Sequence, residues 1–121
     1  MNTSGISDSV SLFNIEAKDY WTVMTLPSGL RMAWTTDTTG SVAPGDGVKR
    51  KIPLPFTVAT GNALSVISSQ SGVGEDMADS FTKLITKVQT TATHAIILAW
   101  NDGAIRLESL VSILIVERKN Y

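Results

Sequence analysis

The chain has no cysteine. That removes disulfides, thiolate metal sites and cysteine nucleophiles together, and it leaves the redox compartment open, because a chain without thiols is indifferent to it. An excess of charge of one sign is also missing: 10 basic and 11 acidic side chains give a formal net charge of -1. Nothing electrostatic therefore argues for nucleic acid or an anionic membrane, and a neutral or protein partner is expected. Long apolar runs are absent too. Val111 to Val116 is strand-length and broken by Ser112, far short of the ~20 residues a membrane helix needs, so no membrane insertion is expected. Met1 to Gly5 has neither the basic start nor the apolar core of a secretion signal, and without a secretory route Asn2-Thr3-Ser4 carries no weight as a glycosylation site.

What is present is a single-domain length of 121 residues, enough to bury roughly two thirds of the unfolded surface. Serine, threonine and β-branched residues recur. The one stretch able to open a helix, Glu75 to Lys87, soon gives way to strand-like alternation. Tyr20 to Trp34 is the most informative segment. Two apolar and aromatic runs flank Leu26-Pro27-Ser28-Gly29-Leu30, where proline presets φ and glycine supplies the positive φ of a reversal, which predicts a β-hairpin. In its second arm Leu30, Met32 and Trp34 share one face and Arg31, Ala33 and Thr35 the other.

Thr35 to Gly47 is polar and rich in turn formers, and reads either as one exposed loop or as a short strand between two loops. Val48 to Leu54 alternates, with Pro53 and Pro55 marking an edge or a strand exit. Ala63 to Gln70 is a strand with Leu64 and Val66 on one face and Ile67 on the other. From Thr82, Leu84, Thr86 and Val88 oppose Lys83, Ile85 and Lys87. Thr93 to Trp100 is strongly β-prone, and Asn101-Asp102-Gly103 predicts a tight hairpin with Ala104 to Glu108 as its return strand. Leu110 to Val116, apolar on both faces, predicts a central strand covered on both sides, with Glu117-Arg118-Lys119 emerging into water. Six to eight short strands predict an all-β sandwich or barrel-like fold. Residues 1–15 read as a polar arm or linker, and 16–121 as the folded domain.

Tyr20-Trp21, Leu26-Pro27-Ser28-Gly29-Leu30 and Trp34, followed by Ile52-Pro53-Leu54-Pro55-Phe56, Leu64-Ser65-Val66-Ile67 and the terminal apolar strand Ser112 to Val116, resemble in order the C-terminal tip domain of bacteriophage tail fibres. Two extra residues separate Trp21 from the turn, Thr35 stands where glycine is usual, and Glu117-Arg118-Lys119 replaces a small-residue ending. The resemblance implies an antiparallel β-sandwich that forms a homotrimer at the distal end of a fibre and binds a bacterial surface polysaccharide or outer-membrane protein. The protein would then be part of a virion, joined to the remainder of the fibre, and not an enzyme. The polar arm suits the cut end of a longer fibre. A hydrophobic fraction of 43% leaves surface that subunit contacts could bury.

The expected binding residues lie in loops, which vary while a sandwich positions them: Asp37 and Asp46 in the Thr35 to Gly47 segment, Asp76 between Gly72 and Asp79, and Trp100, Asn101 and Asp102 at the predicted turn. Trp100 is the exposed aromatic that could stack on a sugar ring; Trp21 and Trp34 are assigned to the core. Glu75, Asp76 and Asp79 could serve glycoside hydrolysis or be a solvated loop or helix start. Lys49-Arg50-Lys51 could meet phosphates of a surface glycan or be a solvated edge that discourages strand pairing. His94, the one histidine, has a structural or subunit-interface role or, at a threefold axis, could ligate a metal. No cofactor and no metal are expected.

Overall fold

The structure, a computed structural model, describes residues 14–72 and 83–119. Eight strands run β1 (Asn14–Lys18), β2 (Trp21–Thr25), β3 (Arg31–Thr38), β4 (Gly47–Pro53), β5 (Asn62–Gly72), β6 (Leu84–Thr90), β7 (His94–Asn101) and β8 (Ser109–Lys119). They form two antiparallel sheets, one of five strands in the order β1-β2-β3-β8-β5 and one of three in the order β4-β7-β6. Trp21, Val23, Ala33, Ile113 and Ile115 of the larger sheet pack on Ile52, Ala95 and Ile97 of the smaller, making the main core between them, and Val42, Leu84, Ala99 and Leu107 form a second cluster. The expected all-β sandwich is what the chain forms.

The β2–β3 hairpin turns at Pro27-Ser28-Gly29, closed by Leu26 N–H to Leu30 O at 2.8 Å and Gly29 N–H to Leu26 O at 2.9 Å. Gly29 takes φ +88°, a backbone region in which a side chain is strained. The faces of β3 are as the alternation predicts, but Ala33 and Thr35 point inward while Trp34 is 40% exposed. Trp34 is therefore not a core residue. Small side chains on β3 leave room for Trp21 and Val23 of β2, and Trp21, at 1% exposure, donates its indole N–H to Pro53 O across the sandwich at 2.9 Å.

Three other segments depart from the sequence pattern. β3 runs on to Thr38, and the rest of the polar segment is pinned by Val42, fully buried, whose N–H and O pair with Leu107 at 2.8 and 3.1 Å. The Asn101-Asp102-Gly103 hairpin does not form: β7 pairs with β4 and β6, and the chain crosses to the other sheet. The buried Asn101 side chain explains this. Its Nδ2 donates to Val42 O (2.8 Å) and Ile105 O (2.7 Å), and its Oδ1 accepts from Gly103 N–H (2.8 Å), an arrangement that bends the backbone through the side chain rather than through a positive φ.

Lastly, β8 is central between β3 and β5, but among the described residues only its Val111, Ile113 and Ile115 face is covered by the other sheet. Nor does Glu117 emerge into water; it is 3% exposed. Arg31 reaches it with Nε (3.1 Å) and Nη2 (3.2 Å), Asn62 adds a bond at 3.1 Å, and the guanidinium lies 4.0 Å over the Phe56 ring. Burial alone would raise the carboxyl's pKa, but the bonds from Arg31 and Asn62 and the charge of Arg31 outweigh it and hold it at about 2. Alternation places both side chains on inward faces, and this pair closes one end of the core.

Candidate binding surface

Along β7 Ala95, Ile97, Ala99 and Asn101 point into the sandwich, so His94, Ile96, Leu98 and Trp100 form a ridge on the outer face of the smaller sheet. Register sets its flanks. Gly47 and Ile85 stand beside Trp100, and Lys49 and Lys87 stand beside Leu98. Trp100 is 49% exposed, and its ring lies against β4: a Cβ at Gly47 would sit 3.0 Å from its Cε3. Glycine at 47 thus leaves room for the six-membered ring of the indole to lie against the neighbouring strand. A shallow groove of about 440 Å³ runs beside it, lined by Lys49, Ile85, Lys87 and Leu98.

The fold gathers some of the sequence-selected residues and separates others. Asp46, Trp100, Asn101 and Asp102 come together, since Asn101 N–H donates to Asp46 O at 3.0 Å and Asp102 follows directly. Within that group Asn101 holds the connection from below with a fully buried side chain. Asp37 lies apart, inside the open edge between the sheets, where it pairs with Arg50 at 3.3 Å. A cleft of about 430 Å³ there is bounded by Tyr20, Thr36, Asp37, Arg50 and Pro53. Asp76, with Glu75 and Asp79, lies outside the described residues. His94 sits on the outer face, its Nδ1 2.7 Å from Thr93 Oγ1. No cluster of three metal-ligating side chains occurs among the described residues.

Sequence reasoning did not connect Lys87 and Ile85 with Trp100. They lie on a different strand, and only the β6–β7 register brings them to one face. It also missed the outer face of the larger sheet. There Ile15, Met24, Met32 and Val116 form one cross-strand row and Trp34, Leu114 and Ile67 a second. Ile15 and Ile67 are 59% and 63% exposed. The signal was the two-sided apolar character of Leu110 to Val116, whose second face is packed against no other sheet among the described residues.

No family model and no curated protein matches this chain. Among solved structures it is similar to an N-truncated R1-type pyocin tail fibre, at 12% identity, with 96% of each chain covered and a TM-score of 0.66. It is also similar to two fibre fragments from P. aeruginosa. The R1 pyocin fibre matches at 12% identity and TM-score 0.66, over 96% of this chain and 31% of that one; the R2 fibre at 15% and 0.52, over 94% and 29%. At such identities the shared property is the fold, and this chain spans under a third of the two longer fragments. The likeness agrees with the resemblance read from the Leu-Pro-Ser-Gly hairpin.

Proposed function

We propose that this domain is the distal end of a tail fibre of a phage or phage-derived particle, and that it adsorbs non-covalently to a receptor on the bacterial surface. The half-exposed Trp100, packed against Gly47 beside a groove, carries the reading: a rigid amphipathic ring at the surface gives contact area at little entropic cost. Asp46 and Asp102, at the end of the groove, supply acceptors for receptor hydroxyls. Three copies on one fibre multiply a weak single-site affinity. The domain acts by binding and performs no chemistry on its receptor.

The two apolar rows on the larger sheet support a homotrimer formed through that face, joined to the remainder of the fibre. They also support a second reading, in which the domain only registers or caps the three chains. Adsorption separates the two. Labelled domain with the molar mass of a trimer should bind a subset of a bacterial panel, and Trp100→Ala together with Asp102→Ala should lose about tenfold or more of that binding, as stacking on an aromatic ring warrants. Unchanged adsorption by the intact double variant would remove this surface from the receptor site, and no adsorption by the wild type to any strain would leave the capping role.

A further inference from the structure

We infer that the outer face of the three-stranded sheet selects an acidic saccharide, a glycan carrying carboxylates on its sugar rings. This rests on the adsorption reading and names the class of receptor for that same surface. Lys49 and Lys87 flank Leu98 from opposite sides, and Lys51 stands beside Ile96. All three are exposed, and none has an ion-pair partner among the described residues. The strands themselves bring no carboxylate to this face; Asp46 and Asp102 stand beyond Trp100, at its end. A chain whose net charge is -1 therefore gathers unpaired cations on one sheet face, around its most exposed indole ring.

The spacing suits an extended anionic polymer. Successive outward residues of β7 are about 6.8 Å apart, and the two flanking strands lie about 9.6 Å from each other. A ring stacked on Trp100 thus places the next one over Leu98, within reach of an ammonium from either side. Lysine stems lie along apolar surface while their heads stay in water, so the groove keeps its apolar floor and gains a charged rim. The same charges argue against a second copy of this chain as the occupant, because three like-charged faces would meet. The larger sheet's uncharged rows are the better self-contact.

The test is calorimetric titration of the full chain with galacturonic acid oligomers and with their carboxyl-reduced, neutral counterparts. Binding of the acidic oligomers should weaken as salt rises, and the neutral ones should bind at least about tenfold more weakly. Lys49→Gln with Lys87→Gln should weaken the acidic interaction about tenfold, Trp100→Ala should do likewise, and Lys119→Gln, on the other sheet, should change nothing. Equal binding of acidic and neutral oligomers, no binding of the acidic ones, an unaltered affinity in the folded lysine double variant, or equal binding of a single-stranded DNA oligomer would each overturn the inference. Adsorption to bacteria, scored separately, decides the broader reading: cells bound without preference for acidic sugar would sink the inference alone.

Discussion

The outer faces of the two sheets differ in kind although both are apolar in part. On the larger sheet Trp34, Leu114 and Ile67 lie in a cross-strand row with serines and threonines beyond them: Thr36, Ser112 and Ser69 make the next row, with Thr36 and Ser112 hydrogen-bonded at 3.1 Å. On the smaller sheet the exposed ring of Trp100 has lysines as near neighbours. The apolar rows of the larger sheet carry no charged side chain, Arg118 lying beyond them against Ser65 at 3.1 Å, and such rows can meet identical rows without repulsion, whereas a lysine-rimmed face cannot. On the proposed reading, one sandwich thus presents a side suited to copies of itself and a side suited to a foreign, anionic ligand. The interior supports both, and its polar plugs hold the ends of the core.

The largest expected effect comes from the interior, because a change there should harm both faces together. Glu117→Leu leaves Arg31 and Asn62 without their partner and should cost on the order of 3 kcal/mol, read as a lower midpoint in chemical unfolding with trimer and adsorption lost in parallel. The wild type should show the same dependence in acid. Glu117 sits at about 2 in the folded chain against an ordinary 4.5, so its contribution is fully present above pH 4.5 and is lost as pH falls toward 2. Stability should drop by up to about 3 kcal/mol across that window, and Glu117→Gln should flatten the drop. A wild-type curve flat from pH 5 to 2, those values being about the two pKa limits, would deny the pair its role.

A smaller and one-sided effect is expected at Gly47. Gly47→Ala puts a methyl 3.0 Å from Trp100 Cε3 and 3.4 Å from Ala99 O; the ring must tilt, at a stability cost of about 1 kcal/mol. Adsorption should fall several-fold while the molar mass stays that of the trimer. Equal adsorption would show that the placement of the indole against Gly47 is immaterial. The smallest effect belongs to Asp37→Asn. Its partnership with Arg50 joins side chains 30% and 44% exposed, a setting in which ion pairs contribute under about 1 kcal/mol and are screened by salt. Thermal unfolding should shift by no more than a few degrees.

Much of the fold was legible because alternation and turn chemistry are local. The Leu26 to Leu30 turn, the inward set Leu84, Thr86 and Val88, and the edge position of Lys49 to Lys51 all follow from side-chain period and proline placement. What misled were residues whose role depends on a distant partner. Asn101 and Gly103 make a strong hairpin signal, yet the amide of Asn101 finds Val42 O, 59 residues away in sequence. Glu117 looks like a solvated end until Arg31 meets it 86 residues upstream. Trp34 carries a core signature, but it stands on the face of β3 opposite Ala33, and which face turns inward is decided by packing on the other sheet, not by any local rule. For the binding surface, Trp100 could be picked out as exposed ahead of a turn, whereas its lysine rim is assembled by strand register and has no sequence signature.

The division between the faces is tested most directly by the solution molar masses of two charge-bearing variants measured side by side, Leu114→Lys and Trp100→Lys. Leu114→Lys should fall to the 13.0 kDa of a single chain while Trp100→Lys keeps three times that mass. A trimer that survives Leu114→Lys but dissociates in Trp100→Lys would contradict it, since the lysine-rimmed face would then be the one that meets itself.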